Sequence, residues 1–349
     1  MNGTERVCPE AIAFIAFVPQ YVSMSTHILI CFAAFVTNCI FVRLCLKELH
    51  FHFNCRILIL TLVSLNVLHS IIYALMLTIH FIKLMIVHEN PCDVMMDGSF
   101  CFSLRLATSA CYIGHTTVLF GLLLERFLAT RFVATYELSS SKAGYFISCC
   151  SVSKECCSVL NLLKYTLFKQ LFSAVLLSYY KMRLFRMDQR SVYCSSVTTE
   201  TYTDVFITHC LLLVLLIVTI VIFGFIFFQN RRVRSRITRN VSEKYQAIEN
   251  LRALRILAPL LIFHFICYPF YFAISITTQS LKHITGDLYF RVVYSAVYCP
   301  SYYCVLSPLI LLYIIKRRKA TRKKTTLTPG NPKPQREDDV YFQNYRSMW

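Results

Sequence analysis

Long apolar runs, separated by short polar or basic stretches, set the architecture of this chain. A helix that crosses a bilayer needs ~20 apolar residues. The runs 23–46, 57–79, 205–228, 256–278 and 292–315 meet that length. A further run, 101–124, carries one formal charge, Arg105. With an irregular candidate between Gly144 and Tyr180, the pattern predicts an all-α membrane protein, a bundle of seven transmembrane helices over residues 23–315. Residues 1–22 form an N-terminal segment. A basic tail, 316–349, holds Pro329, Pro332 and Pro334 and is expected to be disordered.

The irregular segment admits two readings. The apolar pieces 145–150 and 171–177 are each too short to span. Between them stand Lys154, Glu155, Lys164 and Lys169, and each charge at the bilayer centre costs ~2.5–3.5 kcal/mol. Joining 144–150 directly to 171–180 makes one span of about 17 residues, near the lower limit. On that reading 151–170 is an insertion into the fourth helix, of the kind a splicing error leaves. On the other, the helix runs over 158–180 and tolerates two lysines.

Charge sets the expected orientation. The formal net charge is +18, from 36 Lys and Arg against 18 Asp and Glu. With the N-terminus outside, 24 of those 36 basic residues fall on inner segments, as the positive-inside rule requires. The expectation is N-terminus outside, C-terminus inside. The basic inner surface then faces anionic membrane lipid rather than nucleic acid, for which there is no separate basic domain. The apolar stretch 11–18 has only Arg6 as a basic flank, so the first span is expected to act as its own insertion signal. Asn2-Gly3-Thr4 is a glycosylation sequon on the outer side.

Most of the 17 cysteines lie within spans and act there as small apolar residues. Cys8, Cys92, Cys101 and Cys194 fall on the outer, oxidising side. Cys101 tops the third span and Cys194 lies in the loop before the fifth. That placement favours Cys101–Cys194, with Cys8–Cys92 as the second pair. Four cysteines allow three pairings, and the residues alone leave the choice open.

Two regions of the third span carry candidate chemistry. At its inner foot stands Glu125-Arg126, 25 residues after Cys101, or about 37 Å along a helix. This rim-to-rim spacing also occurs in rhodopsin-type G-protein-coupled receptors. Glu249 stands 20 residues before Pro269, an offset at which such receptors often carry an acid. Arg126 is therefore expected to bond Glu125 and Glu249 at rest, through bonds strengthened by charge on both partners. The plainer reading pairs Glu249 with Arg252 on its own helix.

In the outer half, Arg105, Thr108, Ser109 and Tyr112 recur at i, i+3, i+4 and i+7, on one stripe. An ionisable residue inside a membrane span marks a functional site by default. The stripe is thus the expected ligand face, unless Arg105 only snorkels to the interface. Tyr294, Tyr298 and Tyr302, spaced by four, either line the same cavity or pack between helices. His115, His209 and His264 are single histidines without a metal-binding spacing, so no metal or cofactor is expected.

Further motifs complete a pattern. Phe51-His52-Phe53-Asn54 opens the second span, and Pro91-Cys92-Asp93 precedes Cys101. Glu125-Arg126-Phe127-Leu128-Ala129-Thr130 closes the third, and Tyr136-Glu137 follows. Lys244-Tyr245-Gln246 and Glu249-Asn250 precede the sixth, and Pro308 is followed by Lys316-Arg317-Arg318. In order and spacing these resemble the nematode serpentine chemoreceptors, of class AB and the closely related class alpha, with AB favoured. The resemblance covers roughly 20–320 apart from 151–170. It implies a rhodopsin-like bundle in the plasma membrane, often of sensory neurons and their cilia. It also implies a small-molecule chemical cue, coupling to a heterotrimeric G protein, and no enzyme activity.

There are departures from the rhodopsin-type pattern. Counted from Asn54, the usual second-span aspartate position holds Ser64, so no sodium site is expected. Leu311 stands where a tyrosine would follow Ser307-Pro308, and Cys267 stands in place of a tryptophan before Pro269. Ser301 at the retinal-lysine position argues against an opsin, and Thr108 against an amine receptor. The second function class weighed is a ligand-gated seven-span channel of the insect odorant-receptor kind, whose N-terminus lies inside. A transporter or membrane enzyme lacks support, with no inverted repeat or paired carboxylates.

Overall fold

The computed structural model describes residues 8–48, 53–86, 90–131, 154–198, 200–235, 241–281, 284 and 286–326. Asn2, residues 144–150 and the tail beyond 326 lie outside these. A short helix α1 (Pro9–Ile15) precedes α2 (Val18–Glu48) and α3 (Phe53–Met85). A single 3-10 turn (Pro91–Val94) leads into α4 (Gly98–Arg131). Then follow α5 (Lys154–Met182), α6 (Tyr202–Ser235) and α7 (Val241–Ser280). The last span is built from α8 (Asp287–Ala296) and α9 (Cys299–Thr326).

Among the described residues six helices are long and apolar enough to cross a membrane. With α5, which fills the fourth position, they make a seven-helix bundle. One unbroken helix from Lys154 to Met182 holds that position, and it takes in most of 151–170. The helices close a ring, α2 against α3 and α9, α6 against α7, and α7 against α9. Helix α4 runs through the middle, packed on α3, α5, α6 and α7, and it is the most deeply buried span.

The division of side chains explains the arrangement. Leu29 and Phe32 of α2, and Val214, Val221, Phe225 and Phe228 of α6, point outward, where lipid tails would meet them. Polar side chains turn inward instead. Asn66 of α3 donates to Asn38 Oδ1 of α2 at 3.2 Å and to Ser307 Oγ of α9 at 3.1 Å. Asn38 in turn donates to the Cys304 carbonyl at 2.9 Å. Between helices in lipid such bonds contribute ~0.6 kcal/mol on average and up to ~1.7 kcal/mol. A Cβ at Gly121 of α4 would overlap the end of the Gln170 side chain of α5, which would have to swing aside for a larger residue.

This corrects the residue assigned to the second-span polar position. Ser64 lies on the exposed face and bonds its own helix at the Leu60 carbonyl. The inward residue at this level is Asn66. Counting from Asn54 lands two residues early, and two residues turn a helix by about 200°, to its opposite face.

The last span is not one helix. It breaks at Val297–Tyr298, ahead of Cys299-Pro300. Pro300 has no N–H to give the Ala296 carbonyl four residues back, and its ring crowds that carbonyl, so a continuous helix cannot form through this point without a kink or break. The i, i+4, i+8 stripe of Tyr294, Tyr298 and Tyr302 is broken with it. Tyr298 turns into the core, Tyr294 joins a small cluster with Val197, Val205 and Phe290, and Tyr302 is half exposed.

At one end of the bundle two disulfides fasten the connecting segments. Cys101–Cys194 holds the segment before α6 against the start of α4, with the Cα atoms 5.1 Å apart. The same segment pairs its backbone at Ser191 with Met96, both bonds 2.9 Å. Cys8–Cys92 holds α1 to the 3-10 turn. Arg183, just past α5, forks onto Asp204 of α6 at 2.8 and 3.1 Å, and this bond raises the Arg183 pKa.

Candidate functional site

The two sets of candidate residues occupy opposite ends of α4. At the disulfide end, Arg105 does not snorkel. It is 3% exposed and turned into the bundle. Its Nε donates to the Cys194 carbonyl at 2.6 Å and its Nη2 to the Tyr193 hydroxyl at 3.3 Å. The guanidinium also lies over the rings of Tyr73, Tyr193 and Tyr298, 5.4 to 5.7 Å from their centres. Cations are attracted to aromatic faces, by about 2 kcal/mol or more when desolvated. The disulfide thus delivers Tyr193 and Cys194, which with Tyr73 and Tyr298 build a cage around a residue of α4.

One turn further along α4, Ser109 accepts a hydrogen bond from Lys181 Nζ at 3.3 Å. Lys181 ends α5, is 1% exposed, and donates also to Ser196 Oγ at 3.3 Å. Its ammonium lies 4.8 Å from the centre of the Tyr112 ring. Tyr112 meets Tyr271 of α7 edge-on at 6.3 Å, and Tyr271 meets Tyr298 at 5.7 Å. His209 of α6 stacks on Phe272 at 4.4 Å. The hydroxyl of Tyr112 and both ring nitrogens of His209 are buried without a hydrogen-bond partner.

Of the five expected ligand-face residues, Arg105, Ser109, Tyr112 and Tyr298 belong to this one cluster. Thr108 is buried beside them, but its hydroxyl is spent on its own helix, at the carbonyls of Leu104 and Arg105. Sequence reasoning missed Lys181, Tyr73 and Tyr193. Lys181 carried a signal, a lysine directly after the apolar stretch that ends at Tyr180, that went unread.

Below the cluster the polar contacts continue toward the other end. His69 Nε2 meets the Tyr298 hydroxyl at 3.0 Å. His115 Nδ1 meets the Tyr268 hydroxyl at 2.7 Å, and Thr116 meets His264 Nε2 at 3.1 Å. Each joins two different spans. No group of three or more metal-binding side chains occurs among the described residues.

At the far end Glu125 and Arg126 are buried, 8% and 2% exposed. Arg126 Nε and Nη2 fork onto the two Glu125 carboxylate oxygens at 2.5 and 2.7 Å. Its Nη1 donates to Asn250 Oδ1 of α7 at 3.1 Å. Asn250 Nδ2 donates to Thr130 Oγ1 at 3.1 Å, and Asn230 of α6 donates to the same oxygen at 3.0 Å. Arg126 therefore closes α4 onto α7, and Thr130 closes it onto α6. Glu249 lies in α7, and its side chain is outside the described residues. Asn250, the next residue along, was missed because an acid was the partner sought.

Over residues 12–349 the chain matches the family model of the serpentine type 7TM GPCR receptor class ab chemoreceptors. It is similar to serpentine receptor class alpha/beta-14 of Caenorhabditis elegans, 25% identical over 273 residues. That match takes in 75% of this chain and 64% of the relative. It is also similar to serpentine receptor class alpha-39 of the same species, 24% identical over 242 residues, 68% of this chain and 60% of the relative. The chain therefore spans less than two thirds of the length of these curated relatives.

Proposed function

This chain belongs to the serpentine type 7TM receptors of class ab, and we propose that it binds a small extracellular molecule at the disulfide end and activates a heterotrimeric G protein at the other. The N-terminus lies outside and the C-terminus inside, in the plasma membrane. The cue sits among Arg105, Ser109, Tyr112 and Tyr298. Arg126, held by Glu125 and Asn250, keeps α7 against α4 until the cue binds.

One observation carries this reading. A single helix, α4, presents Arg105 in an aromatic cage and, 21 residues on, Arg126 in an interhelical fork. That is about 31 Å of rigid helix. A ligand that repositions α4 against α7 at one end shifts the fork at the other. Coupling of this kind requires only that the ligand favour one of two packings.

The full chain, expressed at the cell surface with a G-protein dissociation reporter, tests the proposal against a panel of small acids, amines and neutral volatiles. A response that Arg126→Gln removes at equal surface expression supports it. A response that survives Arg126→Gln, or a current that persists without G protein, overturns it.

A further inference from the structure

The disulfide end buries two cations, Arg105 and Lys181, while its buried carboxylate among the described residues, Asp204, is paired with Arg183 instead. Among the described residues no carboxylate pairs with Arg105 or Lys181. Four acids of this end are committed elsewhere: Asp204 to Arg183, Glu200 to Arg186, Asp97 to Arg190 and Glu10 to Arg291. The two cations are neighbours by construction. Arg105 and Ser109, which accepts from Lys181, are one turn apart on α4, about 5–6 Å. Cys194 and Ser196, which accept from Arg105 and Lys181, are two residues apart on the loop. A buried charge left without a partner is strongly unfavourable, and neutral acceptors offset only part of that. Beside the cations the hydroxyls of Tyr73 and Tyr112 and the ring nitrogens of His209 lack partners as well.

We infer that the ligand is a small organic anion, its carboxylate or like oxyanion held between Lys181 and Arg105 and its apolar part against Tyr112, Tyr271 and Tyr298. The inference rests on the reading of this end as the ligand site. The anion completes two charged hydrogen-bond sets that the chain leaves open, and the tyrosine belt sets the size of the apolar part. A separate cavity of about 490 Å³ at this end is lined by Arg186, Arg190 and Arg291 together with Glu10 and Glu200, and it does not include Arg105 or Lys181.

The test uses the purified full chain in phosphatidylcholine nanodiscs and follows its unfolding temperature without any G protein. The probes are hexanoate, octanoate and phenylacetate, each beside its methyl ester and primary amide. The acids are expected to protect at concentrations at least tenfold below their esters and amides. Lys181→Gln is expected to remove that preference and Lys181→Arg to keep it. Ser109→Asp, which brings an anion to Lys181 from within, is expected to remove it without deleting a cation. A preference that survives both Lys181→Gln and Ser109→Asp overturns the inference, as does the failure of every acid to outdo its ester. Discs with added phosphatidylglycerol distinguish the source. Protection by that lipid, lost in Lys181→Gln, assigns the anion to a headgroup and still supports an anion site.

Because binding is read without G protein, the two readings fail separately. Acid binding without signalling removes the coupling and keeps the anion. Signalling by neutral compounds, independent of Lys181, does the reverse.

Discussion

Arg126 of α4 donates to the Asn250 amide oxygen of α7 at 3.1 Å, while the rest of its guanidinium is forked onto Glu125. The interhelical part of this contact runs through a neutral group and the intrahelical part through a charged one. Loss of the Asn250 bond therefore loosens α7 from α4 while Arg126 keeps its pairing with Glu125. That is the behaviour expected of a switch rather than of a structural clamp.

Asn250→Ala is accordingly expected to raise ligand-free G-protein activation. A hydrogen bond to a charged group contributes about 1.5–3 kcal/mol. Its removal shifts the ratio of resting to active forms by about tenfold or more, if the active form does not make it. Basal reporter signal at matched surface expression measures this. Unchanged basal signal would place the restraint elsewhere in the bundle.

The two disulfides are expected to differ in effect. Cys101–Cys194 brings the Cys194 carbonyl and Tyr193 hydroxyl to Arg105, whereas Cys8–Cys92 holds α1, whose Phe14 stacks on His80 at 5.7 Å. Loss of a native disulfide costs about 2–5 kcal/mol in small secreted domains. Cys194→Ser should lower both thermal stability and ligand response. Cys8→Ser should lower stability with a smaller loss of response. Unfolding temperature and concentration–response curves, taken on both variants, separate the effects.

Asn66→Leu removes the amide that joins α2, α3 and α9. It leaves Asn38 Oδ1 and Ser307 with fewer partners, and an unsatisfied buried group costs about 1–3 kcal/mol. Ser64→Ala, on the exposed face of the same helix, should change stability by less than about 0.5 kcal/mol. Equal effects of the two substitutions would contradict the inward position of Asn66.

These residues also mark what the chain disclosed as sequence. Span number and class were legible because lipid imposes a length and an apolar composition that few other folds share. The α4 stripe was legible because Arg105, Ser109 and Tyr112 follow helical periodicity on one continuous helix. The tyrosine stripe at 294, 298 and 302 was not, because a break at Val297–Tyr298 resets the helical phase. Lys181, Tyr193 and Asn250 were hidden for another reason. Each acts on α4 from a different segment, and only tertiary packing decides which side chain of a neighbouring segment arrives. Asn250 stands one residue, about 100° of helix, from the acid expected to meet Arg126, whose own side chain lies outside the described residues.

Lys181→Met bears on the same buried cations by stability alone. Methionine keeps most of the length and apolar volume of lysine and carries no charge. Replacing buried charged groups by apolar residues of similar size is often neutral or stabilising, by about 1–4 kcal/mol. Lys181 gives up two hydrogen bonds, to Ser109 and Ser196, both at 3.3 Å, and the pull of the Tyr112 ring. Those hydroxyls can bond each other or water, so the loss is smaller than that of an ion pair. Without ligand, Lys181→Met should therefore unfold at the same or a higher temperature than the parent chain, while its response to acidic compounds falls. Stability kept at the expense of binding is the mark of a residue retained for a ligand. A marked drop in the ligand-free unfolding temperature would instead identify Lys181 as part of the scaffold, fully satisfied by the two serines.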